Sequence, residues 1–256
     1  MNLKKLLLIN NDCYKAGKYI TPQGIMVHST GANNPYLKRY VGPDDGLLGK
    51  NQYNNHWNMS GVGACVHAFI GKLQDGTIAT YQTLPWNMRG WHGAGSSNNT
   101  HISFEICEDG LNDKTYFDKV YKEAVELCAY LCKMYNLTTD TIICHSEGYK
   151  KGIASNHGDV MHWFPKHGKS MDTFRNDVKE LLNKNLGNGY FEGEEEKVKE
   201  VKKVFKTIEE VPEYGKEAIN YFINNGSLKG NSNGLDLSEE MLRILVILYR
   251  NLAYNK

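Results

Sequence analysis

The beginning of the sequence lacks a long apolar run. The stretch MNLKKLLLIN contains only four consecutive apolar residues before Asn10. A secretory signal needs an apolar region of roughly 7 to 15 residues, and a membrane-spanning helix needs about 20. We therefore expect a protein that is made in the cytoplasm without an export signal and that has no membrane partner.

The chain also lacks an excess of charge of either sign. It has 30 Lys and Arg residues against 29 Asp and Glu residues, which gives a net charge of +1. No long-range electrostatic attraction would draw a nucleic acid to it, so we expect no nucleic-acid partner. With 256 residues, 41% of them hydrophobic, the chain is long enough for one sizeable globular domain and a small additional module.

Cysteine is scarce and scattered, which argues against a disulfide framework of the kind found in short secreted proteins. Four of the six cysteines lie in apolar stretches with strand or helix character. We therefore expect reduced, buried thiols. Cys128 and Cys132 have the i,i+4 spacing of a metal-binding pair, but burial in a helix core is the favoured interpretation. The six are Cys13, Cys65, Cys107, Cys128, Cys132 and Cys144.

Several short segments have the residue pattern of β-strands. Residues 62–84 contain two β-rich runs that are joined by Asp75-Gly76, and Asp-Gly is a strong hairpin signal. The run ISFEIC at 102–107 alternates, so Glu105 should face away from the three large apolar residues of that strand. This pattern places a carboxylate in the middle of a strand.

Two segments have helical periodicity. Residues 115–136 repeat apolar side chains at helical spacing and begin with a capping-box-like pair, Thr115 and Asp118. Residues 170–182 form a second amphipathic pattern. Strands that alternate with helices, together with a hairpin, indicate an α/β fold in which α-helices flank a mixed central β-sheet.

The composition changes after Lys184, where a glycine-rich stretch is followed by many charged residues. We predict three parts: a main domain over 1–184, a charged linker and helix over 185–210, and a small C-terminal helical module over 211–256.

Two predicted strands each end in His-Ser. The first is GIMVHST at 24–30, with His28, and the second is TIICHS at 141–146, with His145. A catalytic zinc site takes three protein ligands from His, Cys and Asp or Glu and leaves one position for water. The two histidines could supply two of them if their strands are adjacent. Four residues of the loop after the second strand compete for the third position: His157, Asp159, His162 and His167.

Five segments, in this order, carry a family resemblance: MVHST, VHAFIGKLQDGTI, RGWHGAGSSNNTHISFEIC, IICHSE and NHGDVMHW. Together they resemble the zinc-dependent N-acetylmuramoyl-L-alanine amidases of the type 2, peptidoglycan-recognition-protein-like class, especially phage endolysins and bacterial autolysins. The resemblance covers roughly residues 20–183 and identifies 1–184 as a zinc amidase catalytic domain.

The resemblance implies one Zn²⁺ cofactor held by His28, His145 and Asp159. In the family the third ligand is Asp or Cys, often followed by proline, and here Val160 stands in the proline position. Family members often have a lysine two residues before the third ligand, where this chain has His157.

The resemblance also assigns roles around the metal. Glu105 corresponds to a family glutamate that transfers protons, and His157 would stabilise the oxyanion. Some members use a tyrosine at the position of Val66, so this chain should depend on Glu105. For His67 and His92 the family implies packing or cleft-lining. The residues expected to contact the substrate are Asn33, Trp91 and Asn98.

The implied reaction is hydrolysis of the amide between N-acetylmuramic acid and L-alanine in bacterial peptidoglycan. The enzyme would act on the cell wall after release. Two other functions are open: a non-catalytic peptidoglycan-binding protein, and a cysteine-dependent amidase built on Cys144 or Cys107. The tail segment EAINYFINNGSLKG resembles an S-layer-homology-like module, which suggests wall binding or assembly, and the oligomeric state is open.

Overall fold

The structure, a computed structural model, describes residues 1–187, 204–232 and 234–254. The chain divides into two compact units, Met1–Phe191 and Glu192–Lys256, which are described separately. Most of the predicted charged linker lies outside the described residues. Among the helices that the structure describes, none combines the length and the apolar character that a membrane crossing requires.

The first unit contains a six-stranded mixed sheet with helices packed against it, as predicted. Its strands are β1 Leu3–Lys5, β2 Gly24–Asn33, β3 Ala68–Lys72, β4 Ile78–Gln82, β5 His101–Glu108 and β6 Ile142–Cys144. Its helices are α1 Asp12–Ala16, α2 Lys114–Tyr135, α3 His145–Lys150 and α4 Met171–Gly187. The strand order is β1-β4-β3-β5-β2-β6. Only the β3–β4 pair is antiparallel, which confirms the hairpin at Asp75-Gly76.

Both faces of the sheet are covered by apolar packing. On one face, side chains such as Ile102, Phe104 and Ile106 pack against α2 and α4. On the other face, Phe69 and Cys107 belong to a second cluster. The predicted alternation of β5 is therefore confirmed. A central strand buried on both faces needs a continuous apolar run, which is what β2 supplies before His28.

The prediction that His28 closes its strand is wrong, because β2 continues to Asn33. Regular pairing with β5 extends one residue past His28, to Ser29, and the register shifts between Ser29 and Asn33. His28 therefore lies where β2 is still paired with β5, one residue past the last pair with β6, Val27 and Cys144. Its in-register neighbour on β5 is Glu105.

The predicted cap of α2 is also wrong. The helix begins at Lys114, and its N-cap is Asp113, whose carboxylate accepts a hydrogen bond of 3.0 Å from the Tyr116 backbone N–H. Thr115 lies inside the first turn. An aspartate that reaches the third helical N–H satisfies one of the unpaired donors at a helix start, so the helix begins earlier than the apolar pattern indicates.

The segment after β6 begins with a short helix, α3, and the loop that the sequence predicts follows it. His145 is the first residue of α3. Glu147 accepts a hydrogen bond from the Cys144 backbone N–H and forms two hydrogen bonds of 3.0 Å with the guanidinium of Arg175. This pairing connects α3 to α4 and orders the backbone that presents His145.

The second unit is a helical hairpin with an apolar core of its own. Its helices are α5 Glu213–Asn224 and α6 Glu239–Tyr254. Phe205 and Leu237 join their backbones through two hydrogen bonds of 2.8 and 3.2 Å. The packed part of this unit therefore includes Phe205, six residues before the predicted start of the module. The buried residues are Phe205, Val211, Ala218, Ile219, Leu237, Leu242 and Val246.

Candidate metal centre

Two histidines and one aspartate from three separate segments meet where β6 ends beside β2. His28 comes from β2, His145 from the start of α3 and Asp159 from the loop that follows. One ligand atom from each of the three lies within 4.8 Å of the other two. The two histidine side chains are buried, and Asp159 is partly buried. β2 and β6 are parallel neighbours with Val27 opposite Cys144, so the next residue of each segment, His28 and His145, is brought close to the other.

The distances between these atoms suit a tetrahedral metal ion. His28 Nδ1 lies 2.9 Å from Asp159 Oδ2 and 3.1 Å from His145 Nδ1, and His145 Nδ1 lies 3.6 Å from Asp159 Oδ1. Zinc bonds of about 2.0–2.1 Å at tetrahedral angles separate neighbouring ligand atoms by about 3.3 Å. The donor set is also one that catalytic zinc uses, with a fourth position left free.

The charges at the centre favour an ionised aspartate beside a neutral His28. Burial opposes the ionisation of Asp159, but hydrogen bonds from His145 and His28 more than offset it and lower the pKa of its carboxyl. Burial lowers the pKa of His28, although Asp159 opposes that shift. A neutral imidazole and a carboxylate are the forms that bind a metal cation.

The ring nitrogens that face away from the centre also have partners. His28 Nε2 lies 3.1 Å from Nδ1 of His92, and His145 Nε2 lies 3.1 Å from Oγ of Ser155. If each Nδ1 is a ligand, each Nε2 carries the ring proton and donates a hydrogen bond to its partner. Neither role could be predicted from the sequence. RGWHG marks His92 as a motif residue but gives no ring orientation, and nothing in the sequence indicates Ser155.

Asn98 holds the backbone next to His92. It is fully buried, and its Oδ1 accepts hydrogen bonds of 2.9 Å from the backbone N–H groups of His92 and Gly93. In this structure Asn98 supports the backbone of the His92 segment, and its predicted contact with substrate stays a prediction. Gly95 permits the same close packing, because a Cβ at this position would collide with the Ile153 carbonyl.

Glu105 lies beside the metal centre with one carboxylate oxygen unpaired. It neighbours His28 across the β2–β5 ladder, and its buried Oε2 has no hydrogen-bond partner. Burial raises the pKa of its carboxyl well above the ordinary value, and the nearby carboxylates of Asp159 and Glu108 raise it further. An unpaired buried carboxyl is costly, which marks it as a candidate for function.

His157 lies at the exposed edge of the same centre. Its ring stacks on His145 with 4.7 Å between ring centroids and 19° between ring planes. It therefore stands next to one candidate ligand while its own ring is open to solvent. Such a position suits a group that contacts a bound substrate.

The other loop histidines that compete for the third ligand position lie elsewhere. His162 Nε2 is 2.9 Å from Oε1 of Glu108, which also accepts a hydrogen bond from the Gly31 backbone N–H. His167 stacks on Phe117 at 4.2 Å. In this structure both histidines fix loops, and neither joins the group around His28.

His67 is a buried core histidine, as the family resemblance implies. Its Nδ1 accepts a hydrogen bond of 3.0 Å from the Ser103 backbone N–H, and its Nε2 lies 2.7 Å from the Met88 carbonyl oxygen, to which it can donate. Burial lowers the pKa of His67 to about 4. A neutral ring with both nitrogens paired serves packing and offers no free ligand atom.

The remaining substrate candidates are exposed. Trp91 is 46% exposed, next to His92 in the chain, and the guanidinium of Arg89 lies over its ring at 5.3 Å. Asn33 is exposed at the end of β2. Both side chains are accessible to a ligand, and their roles in substrate binding stay predictions.

The two cysteines considered as nucleophiles are poorly suited to that role. Cys107 and Cys144 are fully buried, and burial raises the pKa of both thiols. A reactive cysteine needs access to substrate and a thiolate stabilised by its surroundings. This environment disfavours a cysteine-dependent amidase.

Three comparisons place the chain among known proteins. The family model described as N-acetylmuramoyl-L-alanine amidase matches residues 18–162. The comparison with curated protein sequences finds no significant match. Among solved structures, the hydrolase AmiA of Staphylococcus aureus has 22% identity and a TM-score of 0.52, and the alignment covers 73% of this chain and 84% of AmiA.

Two further structures have lower TM-scores. The catalytic domain of XlyA has 22% identity and a TM-score of 0.48, with 70% of this chain and 99% of that domain covered. The amidase LysC of Clostridium intestinale has 20% identity and a TM-score of 0.43, with 72% and 98% covered. The AmiA likeness supports the fold, and the family model, which matches more than half of the residues, supports the assignment. The chain therefore belongs to the N-acetylmuramoyl-L-alanine amidase family.

Proposed function

We propose that this protein is a zinc-dependent N-acetylmuramoyl-L-alanine amidase that cleaves the bond between N-acetylmuramic acid and L-alanine in bacterial peptidoglycan. The observation that carries the proposal is the convergence of His28, His145 and Asp159 beside an unpaired Glu105 carboxylate oxygen. Family membership supplies the substrate class. We propose that the enzyme acts on the cell wall after release from the cytoplasm.

In this proposal His28, His145 and Asp159 hold the zinc ion. When bound, zinc would supply Lewis-acid activation of water and of the scissile carbonyl group. His92 and Ser155 keep the proton of each ligand histidine on Nε2, so that Nδ1 remains free for the metal. Trp91 and Asn33 contact the peptidoglycan strand.

Glu105 moves the proton during hydrolysis. A carboxyl group whose pKa is raised above its ordinary value can accept a proton from water and return it to the leaving amine. His157 donates a ring N–H to the oxygen of the tetrahedral intermediate. A substrate can reach this ring because it is exposed to solvent and stacked on His145 beside the centre. Glu105 thus acts on the nitrogen of the scissile amide, and His157 acts on its oxygen.

The test is digestion of defined peptidoglycan by the purified full-length protein. New N-terminal L-alanine should appear without new reducing sugar ends. Exhaustive chelation should stop the release, Zn²⁺ should restore it, and thiol alkylation should leave it intact. Undiminished hydrolysis after the metal has been removed would overturn the zinc mechanism, and binding without cleavage would favour a peptidoglycan receptor.

His92→Ala should weaken zinc binding about 10- to 100-fold, the usual range for loss of a hydrogen bond to a metal ligand. The variant removes the acceptor that orients His28. His92→Asn places a carbonyl oxygen near the position of Nδ1 and should restore part of the affinity. The measurement is competitive zinc titration against a chelator of known affinity.

The matched control for His92 is His67→Ala. This variant removes another buried histidine, but one whose hydrogen-bond partners are Met88 and Ser103 and whose ring centroid lies 6.5 Å from that of His92. It should lower the free energy of unfolding and leave the zinc affinity of the folded protein unchanged. Equal zinc affinity in wild-type and His92→Ala protein would contradict the proposed role of His92.

Removal of residues 192–256 should leave a folded, zinc-binding enzyme that cleaves soluble muropeptide. The described parts of each unit contain their own apolar clusters, so the first unit should not need the second to fold. We propose that the helical module aids action on the wall, and the truncated protein should therefore lyse whole cell walls more slowly. Loss of zinc or of folding in this variant would assign the module to the catalytic core.

A further inference from the structure

Two thiols outside the metal centre are in contact. Cys13 lies in α1, and Cys65 lies 52 residues later in the segment before β3. The two side chains interact with each other, and each thiol also has a backbone carbonyl partner, that of Gly63 at 3.1 Å for Cys13 and that of Val66 at 3.6 Å for Cys65. Nothing in the amidase mechanism uses either sulfur.

The backbone around the pair is firmly connected. Asn11 donates a side-chain hydrogen bond of 3.1 Å to the Ala64 carbonyl, and the Asp12 backbone N–H donates one of 3.2 Å to the carbonyl of Val62. These contacts fix α1 against the segment that carries Cys65. The two sulfurs are therefore held together by the fold.

The two thiols differ in access. Cys13 borders a surface cavity of about 160 Å³, together with Lys18, Arg89 and Trp91. Cys65 is fully buried behind it. A small reagent that enters the cavity can therefore reach Cys13 first, and the charged residues that line the cavity are Asp12, Lys18 and Arg89.

The two thiols also differ in acidity. The side-chain interaction with Cys65 lowers the pKa of Cys13; burial opposes this shift, and the positive charge of Arg89 assists it. Burial raises the pKa of Cys65. A thiolate is the attacking species in thiol–disulfide exchange, so the accessible sulfur is also the more reactive one.

We propose that Cys13 and Cys65 form a redox site in which a low-molecular-weight disulfide oxidises the pair to an intramolecular disulfide. The Cys13 thiolate attacks one sulfur of the reagent, which forms a mixed disulfide and expels one thiolate. The Cys65 thiol then loses its proton and attacks the sulfur of Cys13, which forms the Cys13–Cys65 bond and releases the second thiol. The reagent gains the two electrons that the cysteine pair loses.

The bond would strengthen the base of the segment that carries Trp91 and His92. Cys65 and Trp91 exchange two backbone hydrogen bonds of 3.0 Å. A disulfide from α1 to Cys65 would therefore connect α1 covalently to this bridge. It would also close a long loop, which restricts the unfolded chain and stabilises the folded one.

The experiment uses the reduced full-length protein in glutathione redox buffers of increasing oxidised fraction. After acid quenching, peptide mapping without reduction should find one Cys13–Cys65 linkage, with a loss of two hydrogens. The melting temperature should rise by several degrees, and dithiothreitol should reverse the rise. Cys128 and Cys132, which are buried in α2, are the internal control and should remain thiols.

Cys65→Ser gives a second, independent readout. Without the buried thiol, the mixed disulfide between Cys13 and glutathione should accumulate, whereas Cys13→Ser should take up no glutathione at Cys65. Failure of wild-type protein to form the linkage in fully oxidised glutathione, or oxidation at Cys128 and Cys132 in its place, would overturn the proposal. Neither result bears on the amidase activity.

Discussion

Asp159→Ala should lose zinc and, with it, amidase activity. The carboxylate contacts both His28 and His145 and is the only anionic member of the three-residue group. Its removal leaves two neutral ligands, so the zinc affinity should fall by more than the ~10- to 100-fold loss that is typical of outer hydrogen-bond partners. Hydrolysis of soluble muropeptide should fall to background at zinc concentrations that saturate the wild-type protein.

The matched control is His162→Ala in the same loop. His162 pairs with Glu108, so this variant should keep its zinc and lose only the stability that the pairing provides. His157→Ala should also keep zinc but should slow hydrolysis, because its ring stacks beside the centre. Full zinc occupancy in Asp159→Ala, combined with loss in His162→Ala, would show that His162 is the third ligand.

The sheet could be predicted from the sequence because its signals are local. The alternation in ISFEIC, the Asp-Gly turn and the apolar run before His28 can each be recognised from a few consecutive residues. The grouping of His28 and His145 could also be predicted, because each histidine directly follows an apolar strand run and neighbouring parallel strands point in the same direction. These inferences need only strand direction and adjacency.

The remaining features of the site depend on contacts between distant segments. In the sequence Asn98 looks like an ordinary loop residue. Only the folded chain shows that its side chain accepts a hydrogen bond from the His92 backbone. His162 resembles a metal ligand in the sequence, but in the folded chain its Nε2 pairs with Glu108. The start of α3 depends on Arg175, which follows Glu147 by 28 residues. Hydrogen bonds of this kind have no periodicity, so no pattern in the sequence indicates them.

Glu105→Gln should keep the fold and the zinc and lose most of the activity. The substitution preserves the shape of the side chain and removes its ability to accept a proton. General acid–base groups typically contribute ~10² to 10⁴-fold to a rate, and the loss should appear in kcat with little change in KM. Burial and the charges of Asp159 and Glu108 disfavour a carboxylate at this position, so the free energy of unfolding should not decrease.

Glu123→Gln separates catalysis from the loss of a buried carboxylate. Glu123 is buried in α2, and its Oε1 accepts hydrogen bonds of 2.7 Å from the Asn2 backbone N–H and 2.9 Å from the Thr80 hydroxyl. Its amide variant should lose stability and retain turnover, the reverse of the result expected for Glu105. Normal zinc content, normal melting and near-normal turnover in Glu105→Gln would assign proton transfer to another group, and His157 would be the next residue to test because it lies at the same centre.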